Sequence, residues 1–369
     1  MKIAICSPHY SAYSETFILA HKNFLKGTIL YYNTGWVPKQ LELKSILPSQ
    51  KLYARLFRII LTKLNLLKYT DPQLGFYRSL KRERPNVILA EYAVCGAEIY
   101  EIAEKLKIPI VIICLGFDVS HKPTIVAYSE RYIEAFSYAN KVVGVSKLMC
   151  AKLVELGCPN EKIVYSCCGP NSKFFALHPL YDKPVALFVG RFVEKKAPYI
   201  ALFAFSIALK KIPDAKLRMV GDGELFSVCI EIAKALKIEK SVTFLGSLTH
   251  DEMMMEMNSA LFFVQHSKTS SDGDMEGTPV AILEAQAASL PVISTYHAGI
   301  PDVVIHNETG LLCEEGDIDE MANNMIKLFE NTEFCKQLGK NARERVMQHF
   351  TLEQHIDLLQ KLLNDSVER

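Results

Sequence analysis

The chain is short of three things, and each shortage removes a class of protein. It has no long apolar run: the longest, Ile108 to Phe117, is about half of the roughly 20 residues that a membrane-spanning helix needs. It has no Cys-x-x-Cys pair and no Cys/His cluster at zinc spacing. Its ten cysteines are scattered, most of them inside apolar runs such as Val-Ile-Ile-Cys114-Leu, and read as reduced, buried thiols in a cytosolic protein rather than as bridges. It has almost no net charge, +1 over 369 residues, where a nucleic-acid partner calls for a large basic excess. The opening Met1-Lys-Ile-Ala-Ile-Cys6 is too short for a signal peptide, is broken by Ser7-Pro8-His9, and reads as a first buried strand.

What is present is unevenly placed. Residues 1–180 carry 23 Lys and Arg against 13 Asp and Glu, or +10, and the remainder carries −9. A basic half and an acidic half are expected when each is a domain with its own electrostatic task. Two domains also suit a chain too long for one core.

Short β-branched segments alternate with stretches of helical period. The strand candidates are 2–6, 87–90, 109–114, 141–145, 185–189, 216–220, 242–244, 260–264 and 291–294; 198–210 is one helical stretch. Continuous apolar runs of this kind are parallel strands covered on both faces, so the expected fold is α/β twice over, two Rossmann-like domains facing each other across a cleft. Between Cys168 and Lys183 there is no period, two prolines occur with a third at Pro184, and the charge changes sign, which places a linker there. The expected domains are 1–175 and 183–350. Ligands of open α/β sheets bind beyond the carboxyl ends of the strands, so the loops there are where function is expected.

Two such loops stand out. After 185–189 comes Gly190-Arg191-Phe-Val-Glu-Lys195-Lys196-Ala-Pro198, where glycine permits close backbone approach while Arg191 and Lys196 suit a diphosphate; a solvated basic loop is the equal alternative. The second is Ser271-Asp272-Gly273-Asp274-Met275-Glu276-Gly277-Thr278-Pro279, leading into a helix that carries Glu284. Thr278 and Pro279 mark a helix start whose free amides favour an anion. Two carboxylates beside a diphosphate are costly to bury unless they accept bonds from hydroxyl groups, and a sugar nucleotide supplies both phosphates and hydroxyls. The Asp272-Gly-Asp274 spacing matches metal sites in other transferases, but in this loop it reads as a solvated acidic turn or an acceptor contact, so no metal and no cofactor is expected.

The stretch from Val189 to Leu312 resembles the donor-binding half of the retaining GT-B glycosyltransferases of family 4. It has the Gly190-Arg191…Lys196 loop, two glutamates separated by seven residues at Glu276 and Glu284, Val220-Gly-Asp-Gly223-Glu, Thr243-Phe-Leu-Gly246, Gly299-Ile-Pro-Asp302 and Asn307-Glu-Thr-Gly310. The resemblance implies that Arg191 and Lys196 neutralise the donor diphosphate, Glu284 accepts from the ribose hydroxyls and Glu276 orients the transferred sugar, with Gly190, Gly223, Gly277, Thr278 and Pro279 at the donor. It implies retention of anomeric configuration, and a last helix, 351–369, that crosses back to the first domain.

The same resemblance makes the first half the acceptor domain. Ser14-Glu15-Thr16 resembles the Ser-Glu-Thr loop of members that build exopolysaccharides, though helix capping by Ser14 explains it equally. Many members carry His where this chain has Leu115. Glu91, Asp118 and His121 are the other polar candidates on the acceptor side, and each could instead stabilise the fold. From 44 to 69 there are six basic residues and no acid, with Lys51, Arg55 and Arg58 on one helical face and Leu56, Ile59, Ile60, Leu64 and Leu67 on another. This suits contact with an anionic membrane, against the plainer reading of a solvated surface helix.

The resulting expectation is a cytoplasmic enzyme, peripheral on the inner face of the cell membrane. It would move a sugar from a nucleoside diphosphate, UDP in the first instance, to a glycan or lipid-linked oligosaccharide. The alternatives are a GT-B sugar-nucleotide epimerase and a non-catalytic nucleotide-sugar-binding homologue, the latter prompted by Leu115.

Overall fold

The computed structural model describes residues 1–10, 16–63 and 68–368. Two sheets organise the chain. The first holds β1 (Lys2–Cys6), β2 (Thr28–Asn33), β3 (Gln40–Leu41), β4 (Lys44–Ser45), β5 (Val87–Glu91), β6 (Ile110–Cys114), β7 (Lys141–Gly144) and β8 (Ile163–Tyr165), in the order β4-β3-β2-β1-β5-β6-β7-β8. The second holds β9 (Val185–Val189), β10 (Lys216–Val220), β11 (Val242–Gly246), β12 (Phe262–Val264), β13 (Val292–Thr295) and β14 (Gly310–Cys313), in the order β11-β10-β9-β12-β13-β14. Pairing is parallel throughout except where β3 joins β2 and β4 at one edge.

The central strands β1, β5, β6 and β9 have almost no solvent contact, so Val and Ile occupy successive positions instead of alternating with polar residues. Strands form at each of the nine segments picked from β-branched runs. β2, β3, β4, β8 and β14 were not among them. β3 and β4 have two residues each, and β2 begins exposed and becomes buried only at Tyr31 to Asn33. A period-based reading has little to hold in such segments.

Between β8 and β9 the chain runs without a strand, with one short turn of helix at Ser172–Ala176. Phe174 in that turn is fully buried in the core of the second sheet. Gly169 passes so close to the start of the final helix that a Cβ there would lie 2.2 Å from the Leu352 nitrogen. That helix, Leu352–Val367, starts on a capping box between Thr351 and Gln354. Its Leu352, Ile356, Leu359 and Leu363 lie in the same core as Ile3, Val87 and Ile112. The first half of the fold is therefore completed by a helix that follows the second half in sequence.

Candidate active site

The loops that follow β9, β12 and β13 meet at the carboxyl ends of their strands, facing the turn after β6. Four glycines set how near they come. Gly190 follows β9, and Gly221 (φ +129°), after β10, packs so tightly that a Cβ would sit 2.0 Å from the Gly190 carbonyl oxygen. Gly277 and Gly299 make the contact with the first half: a Cβ on Gly277 would meet Leu115 O at 2.8 Å, and one on Gly299 would meet Gly277 O at 2.3 Å and Ser146 Cβ at 2.7 Å. At Gly221, Gly277 and Gly299 no larger residue fits without moving backbone. Gly223 (φ +152°) packs against Phe192 O, so it shapes the Arg191–Phe192 loop.

Three ion pairs join the loop after β9 to the loop after β12, one of them Lys268 Nζ to Glu194 Oε1 at 3.2 Å. Lys196 Nζ lies 3.1 Å from Glu276 Oε2, and Lys195 Nζ lies 3.0 Å from Asp274 Oδ2. With its carboxamide nitrogen turned to Val189 O, Gln265 also accepts from Lys196 Nζ at 3.2 Å. Burial works against ionisation of Glu276, but Lys196 and then Lys195 outweigh it and hold the carboxyl at about 2. Burial lowers the Lys196 ammonium from its ordinary value while Glu276 pulls the other way. Arg191 is exposed at the same loop, close enough for its charge to act on Lys196.

The other side of Glu276 is unfilled. Its Oε1 is buried and has no hydrogen-bond partner among the described residues. Its backbone N–H donates to His297 Nε2 at 3.1 Å, and His297 Nδ1 lies 2.6 Å from Glu315 Oε1. The imidazole thus carries its hydrogen on Nδ1, donates to Glu315, and fixes the backbone at Glu276.

Glu284 lies in the helix Val280–Ala287, and Pro279, which has no N–H, caps it. The Glu284 carboxyl is buried, and that burial raises it to about 8. Thr278 does not leave its hydroxyl free for a ligand: Oγ1 donates to Val145 O across the cleft at 2.8 Å.

The candidates from the first half have other tasks. Asp118 is fully buried, and its oxygens accept from the N–H groups of Ala93 (2.7 Å), Leu115 and Gly116 (3.0 Å each). It positions the turn that touches Gly277 and offers nothing to an acceptor. Glu91 is also fully buried, with Oε1 2.7 Å from His21 Nδ1. His121 stacks on Phe117 and reaches Asp272 Oδ2 at 3.3 Å, so it helps to close the two halves on each other. Thr16 opens the helix Thr16–Phe24 and is exposed; Ser14 and Glu15 lie outside the described residues.

Arg58, expected on a basic face, is turned inward instead. Its Nε and Nη2 lie 2.6 and 2.8 Å from the two oxygens of Asp71, which draw its charge away from the surface. Around it Leu52, Tyr53, Leu56, Phe57, Ile59 and Ile60 are exposed on the helix Leu52–Lys63. Leu64 and Leu67 lie outside the described residues. Among the described residues, no helix is long and apolar enough to cross a membrane.

Residues 171–345 match the model of the family described as glycosyl transferases group 1. Over that segment the chain is similar to the glycosyltransferases of that group. Among curated relatives it is 29% identical over 287 residues to the amylovoran biosynthesis glycosyltransferase AmsK of Erwinia amylovora, covering 75% of this chain and 70% of that one. It is 26% identical over 298 residues to the N-acetyl-alpha-D-glucosaminyl L-malate synthase of Bacillus anthracis, covering 77% and 76%. The crystal structure of Anabaena Alr3699/HepE in complex with UDP superposes with a TM-score of 0.80 at 15% identity, over 99% of this chain and 100% of that one. The fold is GT-B.

Lys195, His297 and Gln265 were not singled out from the sequence. Lys195 stands beside Lys196 in the loop already identified, and adjacency was the available signal. His297 and Gln265 follow strands in segments without a recognisable spacing, and only the fold brings them to Glu276 and Lys196.

Proposed function

We propose that the protein is a retaining glycosyltransferase of family 4 that takes a sugar from a UDP-sugar and places it on a glycan or lipid-linked oligosaccharide in cell-surface polysaccharide biosynthesis. The observation that carries this reading is the buried Glu276, ionised by Lys196 and Lys195, with one oxygen held and the other without a partner. A carboxylate in that state accepts from a sugar hydroxyl at little further desolvation cost. Arg191 and Lys196 would receive the diphosphate, and the negative charge that builds on it as the anomeric bond breaks favours fixed cations at that point. Glu284 would take the ribose hydroxyls. The departing phosphate can accept the acceptor's proton, so no protein nucleophile is required. The similarity to AmsK, an amylovoran biosynthesis glycosyltransferase, supports the polysaccharide context, and the UDP in the HepE complex supports the nucleotide.

The reading includes transfer without a metal. Asp272 and Asp274 are engaged by His121 and Lys195, which supports their role as contacts that shape the loop. It also includes a peripheral position on the inner face of the membrane, supported by the exposed apolar side chains of the helix Leu52–Lys63 together with Lys51, Arg55 and Lys63.

The deciding experiment presents a panel of nucleotide sugars to the full chain, reads thermal stabilisation, and then assays transfer from the stabilising donor in membrane extract. Stabilisation by UDP and a UDP-sugar followed by transfer with retained anomeric configuration is the expected result. A donor epimerised without transfer selects the epimerase, and a rate raised more than tenfold by Mn²⁺ or Mg²⁺ overturns the metal-free mechanism.

A further inference from the structure

Away from the Lys196–Glu276 pair, the fold brings two imidazoles and a thiol together in its interior. His21 lies on the first helix, Cys168 on the segment after β8, and His355 one turn into the last helix; all three are buried. Their ligand atoms, His21 Nε2, His355 Nε2 and Cys168 Sγ, lie within 4.8 Å of one another. His21 Nε2 is 2.9 Å from His355 Nε2, and Cys168 Sγ is 3.9 Å from His355 Nε2. Donors around tetrahedral zinc, at about 2.0–2.1 Å for nitrogen and 2.3 Å for sulfur, stand roughly 3.4 Å apart for two nitrogens and 3.6 Å for nitrogen and sulfur. The two separations to His355 Nε2 lie within about half an ångström of these values.

The groups around the cluster have the form that metal sites take. Each imidazole presents Nε2 inward and has its Nδ1 held from behind, by Glu91 Oε1 at 2.7 Å for His21 and by Ser166 Oγ at 2.7 Å for His355. Such outer partners fix ring orientation and raise the basicity of the ligating nitrogen. Glu91 Oε2 is buried without a hydrogen-bond partner, so the group behind His21 is not fully satisfied by the protein.

We propose that His21, His355 and Cys168 bind one zinc ion that ties the first helix, the interdomain segment and the last helix together. Binding forms two Zn–N bonds and one Zn–S bond, and a water from the ion's own hydration shell keeps the fourth position. The Cys168 thiol proton is released to solvent. Each imidazole then carries its one hydrogen on Nδ1, His21 donating to Glu91 and His355 to Ser166. The site is structural, and it leaves the expectation of metal-free transfer untouched. Its three ligands lie 334 residues apart at the extremes and 187 apart from Cys168 to His355, so no local spacing announces it.

The test uses the full chain and reads the metal, not transfer. The protein is equilibrated with Zn²⁺, desalted and analysed for bound metal; its melting temperature is taken with Zn²⁺ and with Mg²⁺; and Co²⁺ is substituted to look for a thiolate-to-cobalt charge-transfer band. The expected results are about one zinc per chain, a melting temperature raised by Zn²⁺ alone, and a cobalt band. Cys168→Ser, nearly isosteric, should still melt cooperatively while losing the band and binding zinc at least tenfold more weakly. His355→Gln serves as the second ligand variant. Zinc that is not retained, or that leaves the melting temperature unchanged, overturns the proposal and leaves the two histidines as a hydrogen-bonded pair. Equal zinc retention by wild type and both variants overturns it too, by placing the metal elsewhere.

Discussion

Glu276 holds Lys196 with one carboxylate oxygen, at 3.1 Å, and leaves the other, equally buried, without a partner. The pair is half of a binding site, since the lysine ionises the glutamate and the free oxygen is directed by that same bond.

Glu276→Gln keeps the volume and removes the charge. Transfer should fall about 10²–10³-fold in kcat, the usual loss when one preorganised electrostatic contact is deleted. Lys196→Met should cost as much in rate and also destabilise the fold by about 3–5 kcal/mol, because it strands a buried carboxylate. The double variant Lys196→Met/Glu276→Gln should therefore melt higher than Lys196→Met alone. Additive losses in the melting series would show that the two side chains are not coupled.

Glu284 has a pH signature. With its carboxyl raised to about 8, the folded protein keeps a proton that the unfolded chain gives up in the ordinary carboxyl range. The unfolded state binds fewer protons throughout that window, so this group's contribution to stability falls as pH rises from the ordinary carboxyl range through 8. Glu284→Gln should melt higher than wild type at pH 8.5 and close to it at pH 5, yet bind UDP at least tenfold more weakly. Parallel melting curves across that pH range would contradict the shifted carboxyl.

Gly299→Ala tests the close approach of the halves. The added methyl meets Gly277 O at 2.3 Å and Thr278 Oγ1 at 2.4 Å, and the first of these is backbone. Transfer should drop more than tenfold, with a lower melting temperature. A variant as active as wild type would show that the loops separate freely.

For the helix Leu52–Lys63, Leu56→Glu/Phe57→Glu should abolish most co-sedimentation with vesicles rich in anionic phospholipid while leaving the melting temperature unchanged, since both side chains are exposed. Arg58→Ala should do the reverse, because its guanidinium is taken up by Asp71. Unaltered vesicle binding in the first variant would remove the membrane from the functional reading.

Much of the fold was legible because fully covered parallel strands leave uninterrupted apolar runs, as in Ile110–Cys114 and Val185–Val189. The donor loops were legible because glycine, basic and acidic residues cluster locally at Gly190–Lys196 and Asp272–Glu284. The first half was harder. Asp118 and Glu91 are polar residues after strands, as catalytic groups are, and only their hydrogen bonds to Ala93, Leu115, Gly116 and His21 show them spent on the fold. The Leu52–Lys63 helix has the expected mixture of basic and apolar residues, but the sequence could not assign Arg58 to Asp71, thirteen residues on.

The return of the last helix to the first sheet bears on how the molecule is made. During synthesis the strands from Ile3 to Ile112 emerge early, but the surface they present to Leu359 and Leu363 has no cover until the helix Leu352–Val367 leaves the ribosome. The half that is translated first waits for a helix that follows the second half, so a ribosome that stalls before Leu352 leaves the first domain, not the second, with an open core.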